Sequence, residues 1–254
     1  MKINNLETFK AKVARGETCY GLCVNSYDAQ NAEIAADAGC DFIWVDMEHC
    51  PFTTVDALYN CIAVRGTDCA SFVRVPWNVN WLLKPILDLA PAGVIVPMVC
   101  TAEEAEQAVR ACRYPCDGGE RGFGTRRATG YGKMGIPEYM EVSHREPMVI
   151  LQIEHKDAVA NLDEILKVPG WDSVCIGPYD LSASYGKAGE FNDPEIQAAL
   201  YTICEKTRAA GKILGGFITP GFPVKFHFDW RCLGTDTGFL YSGLKSAIAS
   251  ASAE

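Results

Sequence analysis

Short β-rich runs alternate with longer stretches of helical period along the whole chain, a pattern that leads to βα units and a parallel sheet. The runs fall at 19–24, 41–46, 71–75, 93–97, 148–154, 173–177, 212–217 and 231–235. Between them, at 31–38, 53–63, 80–90, 102–113, 156–168 and 195–210, apolar residues recur every three or four positions, as on the buried face of a helix. Eight such units are enough to close a sheet on itself. The expected fold class is therefore α/β, a (β/α)8 TIM barrel, with a doubly wound open sheet as its rival. A chain of 254 residues suits one such barrel, and no linker rich in Pro, Gly or Ser divides it, so a single domain over 1–254 is expected.

One segment breaks the rhythm. From Tyr114 to Tyr131 the glycine-rich sequence YPCDGGERGFGTRRATGY has neither period, and an irregular loop of this length in a domain of this kind is usually functional or disordered. It follows the helix after the fourth strand and is expected to fold over a barrel end. Its arginines, Arg121, Arg126 and Arg127, stand out because acids outnumber bases and the net charge is −9. That balance argues against nucleic acid and anionic membrane as partners, and leaves any anionic substrate to local arginines. Two readings of the loop arginines stay open: capture of a distal anionic group on a substrate, or contact with a neighbouring subunit.

No apolar run approaches the length of a membrane span, and the polar start MKINNLETFKAKVARGE lacks the apolar stretch of an export signal, so a soluble cytoplasmic protein is expected. The 12 cysteines are scattered and several sit in apolar runs. The near pairs Cys19 with Cys23 and Cys112 with Cys116 have the wrong spacing for common zinc or redox motifs. Buried free thiols are expected.

Active sites of barrels lie at the C-terminal ends of the strands, and polar residues collect there. The second run ends in Asp46, Glu48 and His49; this histidine is a candidate general base or metal ligand, or a polar residue without a chemical role. In the third run Arg74 stands among apolar neighbours, and a buried guanidinium needs an anion. Either a substrate carboxylate or a fixed acid such as Asp46 or Glu48 would serve. Gln152 and Glu154 leave the fifth run on one face, together with Ile150. Asp180 follows a Gly-Pro turn after the sixth run. Glu154 and Asp180 could hold one hard cation or share a proton, and Asp180 could instead cap a helix. A phosphate-binding GxxxxGK[ST] loop, a GxGxxG opening a helix after the first strand, HExxH and GxSxG are all missing. Lys212 opens the seventh run, the wrong end for a Schiff base, which favours a metal as electron sink.

These residues together resemble the metal-dependent pyruvate aldolases typified by 4-hydroxy-2-oxoheptanedioate aldolase, with the 2-keto-3-deoxysugar-acid aldolases as close relatives. The resemblance is carried in order by VDMEHCP at 45–51, VRVPWN at 73–78, VPMV at 96–99, RYPCDGGERGFG at 113–124, QIEH at 152–155 and IGPYDLS at 176–182. It implies aldol cleavage or condensation of 2-oxo-4-hydroxy acids, giving pyruvate and an aldehyde through an enolate stabilised by a divalent metal (Mg²⁺, Mn²⁺ or Co²⁺). It implies Glu154 and Asp180 as metal ligands, His49 as proton acceptor, Arg74 as charge stabiliser and Asp88 as the acid that raises the basicity of His49. Gln152 and the backbone at Tyr179 and Asp180 would contact substrate, and the protein would form a homo-oligomer, commonly a hexamer. Tyr179 departs from the family's alanine, which leaves the aldehyde open. The alternatives are oxaloacetate decarboxylation or a Claisen-type reaction at the same site, or a non-catalytic metabolite-binding barrel.

Overall fold

A computed structural model describes residues 3–253. The strands are β1 (Cys19–Val24), β2 (Phe42–Asp46), β3 (Ala70–Arg74), β4 (Gly93–Val96), β5 (Met148–Ile153), β6 (Ser173–Ile176), β7 (Ile213–Gly216) and β8 (Trp230–Thr235). Each pairs in parallel with the next, and β8 returns to β1 to close the sheet. The fold is the expected (β/α)8 barrel, and the open-sheet rival fails because closure leaves no edge strand. The expected runs overlap these strands with ends moved by a residue or so.

Helices α1 (Leu6–Ala14), α2 (Gln30–Asp37), α3 (Thr54–Ala63), α4 (Asn80–Leu87), α5 (Ala102–Cys112) and α6 (Ile136–Ser143) cover the first part of the chain. Helices α7 (Lys156–Ala160), α8 (Leu162–Lys167), α9 (Pro178–Ser184), α10 (Pro194–Ala209) and α11 (Asp236–Ala251) follow. The expected run 156–168 divides at Asn161 into α7 and α8. Capping boxes of Thr53 with Asp56 and Thr101 with Glu104 fix where α3 and α5 begin, and so delimit the strand-end loops before them.

Period-two alternation sorts the strands into two cores. Outward residues such as Ile43, Val45, Val73, Val94 and Leu151 pack under the helices. Inward residues such as Phe42, Trp44, Phe72, Ile150 and Trp230 fill the barrel. Room for the large rings comes from small partners: a Cβ on Gly215 would lie 2.2 Å from the Trp230 indole. The barrel is thus packed solid below its mouth. The 12 cysteines are free thiols, most of them buried, and no helix among the described residues is long and apolar enough to cross a membrane.

The segment from Tyr114 to Tyr131 runs to the N-terminal end of the barrel, away from the mouth. Arg127 is buried and donates to the carbonyls of Leu89, Ala90, Ile3 and Cys61 at 2.6 to 3.3 Å. Arg121 is buried too, donating to the Leu87 carbonyl and the Tyr139 hydroxyl while lying over the Tyr114 ring. Substrate capture by these two arginines within one chain is therefore corrected: both are buried and donate to main-chain carbonyls and, from Arg121, to the Tyr139 hydroxyl, acceptors that need donors wherever water is excluded.

Candidate active site

The alternation that fills the barrel also decides what reaches its mouth. On β2 the inward series runs Phe42, Trp44, Asp46; on β3 it runs Ala70, Phe72, Arg74, and the register sets Asp46 beside Arg74. On β5 Met148 and Ile150 give way to Gln152, with Glu154 next in the series. Apolar layers end and polar ones begin at the same height.

Arg74 donates from Nε to Asp46 Oδ1 at 2.9 Å and from Nη2 to Oδ2 at 2.7 Å, with its guanidinium 4.9 Å from the Trp44 ring. The buried arginine thus has a fixed bidentate partner. Burial opposes both charges, yet the paired hydrogen bonds hold Asp46 below the usual carboxylate range and Arg74 above its own. Asp46 also accepts the backbone N–H of Glu48 at 3.0 Å and of His49 at 3.4 Å, which folds that segment over the mouth.

Glu48 is left with a weaker share of the same cation. Its Oε2 lies 2.9 Å from Arg74 Nη1 but outside hydrogen-bond geometry, so this buried oxygen receives no donor. Burial pushes the Glu48 carboxyl up to about 7; Arg74 pulls it down, while Asp46 and Asp180 push it further up. His49 Nε2 stands 3.6 Å from Glu48 Oε2 and 3.9 Å from Asp180 Oδ2.

Glu154 is buried across the mouth. Its Oε1 accepts the Met98 N–H at 2.9 Å, and Met98 takes a φ of 53°, a left-handed conformation that non-glycine residues adopt at a cost and that recurs at functional sites. Gln152 Nε2 donates to Glu154 Oε2, leaving Gln152 Oε1 buried without a partner. A Cβ on Gly177 would lie 2.3 Å from Glu154 Oε2, so only glycine lets the chain pass this carboxylate. From Gly177 the chain turns into α9, with Pro178 in the first turn and Asp180 two residues later. Asp180 is therefore inside the helix and Gly177 holds the capping position. Burial pushes Glu154 up to about 7 against the Met98 hydrogen bond, with Glu48 adding to the rise.

Such a carboxyl gains most from a nearby cation. Among the described residues no three His, Cys, Asp or Glu side chains converge to enclose a metal by themselves. Glu154 and Asp180, joined through Gly177, fit instead the habit of hard cations such as Mg²⁺, which take one or two carboxylates and complete their shell with substrate oxygens and water. A cavity of about 310 Å³ opens here, lined by His49, Arg74, Gln152 and Asp180 among others, within the range of small-molecule sites.

Residues 19–225 match the family model described as HpcH/HpaI aldolase/citrate lyase. The chain belongs to this family. It is 38% identical over 225 residues to the hydroxypyruvate/pyruvate aldolase of Roseobacter denitrificans, covering 88% of this chain and 87% of that protein. To the 2-keto-3-deoxy-L-rhamnonate aldolase of Escherichia coli it is 41% identical over 244 residues, 95% of this chain and 88% of the relative. The crystal structure of an HpcH/HpaI aldolase/citrate lyase family protein from Burkholderia cenocepacia matches with a TM-score of 0.89 at 27% identity, covering 96% of this chain and 98% of that one. As a member of the HpcH/HpaI family the chain is a carbon–carbon lyase.

In this HpcH/HpaI barrel the mouth gathers His49, Arg74, Gln152, Tyr179 and Asp180 around one cavity, with Glu154 against its wall. Asp88 is not among them. It follows α4, which leads back from the mouth, and its charged neighbours are Arg121, Arg126 and Lys84. Within one chain Asp88 therefore lies at the opposite end from His49, whose acidic neighbours are Glu48 and Asp180. Burial raises the Asp88 carboxyl against the pull of those three cations. Sequence reasoning gave no part to the Met98 N–H or to the close pass of Gly177 against Glu154, and left out Trp44 and Phe217, which also line the cavity. A backbone donor and an absent Cβ carry no residue signature, although inward strand-end position was available as a signal for the two aromatics.

Proposed function

We propose that this enzyme cleaves and forms 2-oxo-4-hydroxy acids, with pyruvate and an aldehyde as the other side of the reaction. The observation that carries the reading is the buried Glu154 carboxyl, pushed up to about 7 and aimed by Met98 and Gln152 beside a cavity that Asp180, His49 and Arg74 also line. The names of the Roseobacter and Escherichia relatives point to the same oxoacid chemistry. Glu154 and Asp180 would hold a divalent cation, Mg²⁺, Mn²⁺ or Co²⁺. Bound there, it supplies Lewis-acid withdrawal of electrons from the 2-oxo group, lowering the barrier to forming the enolate.

The chain's own residues supply the rest. In cleavage His49 accepts the proton of the C4 hydroxyl, the C3–C4 bond breaks, and its electron pair passes into the pyruvate enolate as the aldehyde departs. A proton returned to C3 completes pyruvate, so neither oxidant nor reductant is required. Arg74, held rigid by Asp46, keeps positive charge beside the oxygens where negative charge develops, which is what preorganised stabilisation requires. Gln152, with Oε1 unpartnered, offers an acceptor to substrate or its water.

We place this chemistry in a single-domain, cytoplasmic protein that assembles as a homo-oligomer, a hexamer by resemblance. Exposed apolar residues on α11 support assembly. The functional test offers pyruvate and an aldehyde panel to enzyme loaded with each metal in turn and identifies products by mass spectrometry. Products one pyruvate heavier than the aldehyde, formed only with metal, are expected; their absence with every metal sinks the reading.

A further inference from the structure

We propose that the acceptor aldehyde of this enzyme is uncharged and rests an apolar or aromatic body on Tyr179, the residue that sets its specificity. The inference rests on the pyruvate-aldolase reading of the same mouth and names its second substrate class. Tyr179 stands at the cavity rim, 60% exposed. Its ring is nonetheless braced edge-to-face by Phe191 at 5.0 Å and by Phe217 at 6.5 Å. Phe217 in turn meets Trp44 at 6.2 Å, so an aromatic wall runs from the open rim down to the buried layer beneath Arg74. Edge-to-face contacts hold such rings without hiding them. The result is a fixed apolar platform beside the reacting end.

Charge points the same way. Among the described residues Arg74 is the only Lys or Arg that lines the cavity, and Asp46 already occupies its fork. His49 stands between Glu48 and Asp180. Within one chain, the buried loop arginines that the sequence offers as anion readers lie at the far end of the barrel, donating to main-chain carbonyls and, from Arg121, to the Tyr139 hydroxyl. Within one chain, a second carboxylate or a phosphate on the acceptor would thus find no cationic side chain left to pair with at the rim, a penalty that sharpens as water leaves the site. A neutral aldehyde avoids that penalty, and an aromatic one gains the wall.

The experiment measures pyruvate addition by the Mn²⁺-loaded enzyme to benzaldehyde, glycolaldehyde and succinic semialdehyde. Benzaldehyde should exceed succinic semialdehyde in kcat/KM by about tenfold or more, the usual scale of pocket discrimination. Tyr179→Ala should lower the benzaldehyde-to-glycolaldehyde ratio of kcat/KM by about tenfold, while Tyr179→Phe keeps it. Because the readout is a ratio within one variant, any general loss of folding or pyruvate activation divides out. Succinic semialdehyde equal to or better than benzaldehyde, or an unchanged ratio in Tyr179→Ala, overturns the inference. Deuterium exchange at the pyruvate methyl without aldehyde separates the two levels. Exchange with the wrong aldehyde order overturns the acceptor inference alone, and no exchange overturns the aldolase reading beneath it.

Discussion

Arg74 and His49 share one cavity but are held in opposite ways, and their deletions should differ accordingly. Arg74→Ala strands Asp46 in a buried site, and removing one partner of such a pair costs about 3–5 kcal/mol. A lowered urea midpoint should therefore accompany its loss of activity. The His49 side chain is 57% exposed, so His49→Ala should slow aldol cleavage ~10²–10⁴-fold, the usual contribution of a general base, with the urea midpoint unmoved. A His49 variant with wild-type rates would remove it from the mechanism. Glu48 and Glu154 carry a pH signature in the metal-free protein. Both are pushed up to about 7 from an ordinary 4.5, so between these values the folded chain holds protons that the unfolded chain has released. Their contribution to stability is present at the acid end and is lost as pH rises through that window. In chelator, Glu154→Gln should flatten a fall in melting temperature that the wild type shows as pH rises from about 5 to about 8; a wild-type rise that the variant leaves unchanged contradicts the assignment. The legible residues here were the inward ones at strand ends, Arg74, Gln152 and Glu154, because period two places them. The fixed partner of Arg74 remained open in the sequence, since nothing in spacing alone chooses between Asp46 and a substrate.

Elements explain why two sequence expectations are not met within a single chain. Each barrel helix returns the chain from the mouth to the opposite end, so Asp88, just past α4, cannot meet His49 of its own chain; a contact between them requires a second copy. The loop after α5 reaches that same far end. Arginine among glycines reads alike in sequence whether the guanidinium awaits an anion or satisfies carbonyls, and only the path of the chain separates the two. Arg127, with four carbonyl acceptors, should therefore behave as a structural residue. Charged hydrogen bonds contribute about 1.5–3 kcal/mol each, so Arg127→Ala should lose on the order of 3 kcal/mol or more in urea unfolding while any folded fraction keeps the wild-type KM for aldehyde. Arg126 is exposed and its replacement by Ala should leave the urea midpoint close to wild type. A raised KM for dicarboxylic substrates in Arg127→Ala, without a stability loss, would restore the reading set aside here.

At the scale of the molecule, the barrel was legible because eight strands announce themselves by composition and spacing, whereas α11 escaped the sequence reading. Its sequence places apolar residues on several faces, and the helix buries none of them: Phe239, Leu240, Tyr241, Leu244 and Ile248 are all exposed. An apolar patch of that kind marks an association surface. Leu240→Asp combined with Leu244→Asp should lower the mass seen by size-exclusion chromatography with light scattering; an unchanged mass would remove α11 from the interface. On the proposed function, the whole arrangement, from barrel closure to the buried Glu154 beside its cavity, would form pyruvate enolate with a divalent cation. The most direct measurement follows deuterium entering the pyruvate methyl in heavy water, by NMR, without aldehyde. Exchange should require Mg²⁺, Mn²⁺ or Co²⁺, stop on chelation, and fail in Glu154→Gln even with metal present. Full exchange by the chelated wild-type enzyme, with pyruvate trapped on the protein by borohydride, would contradict the account.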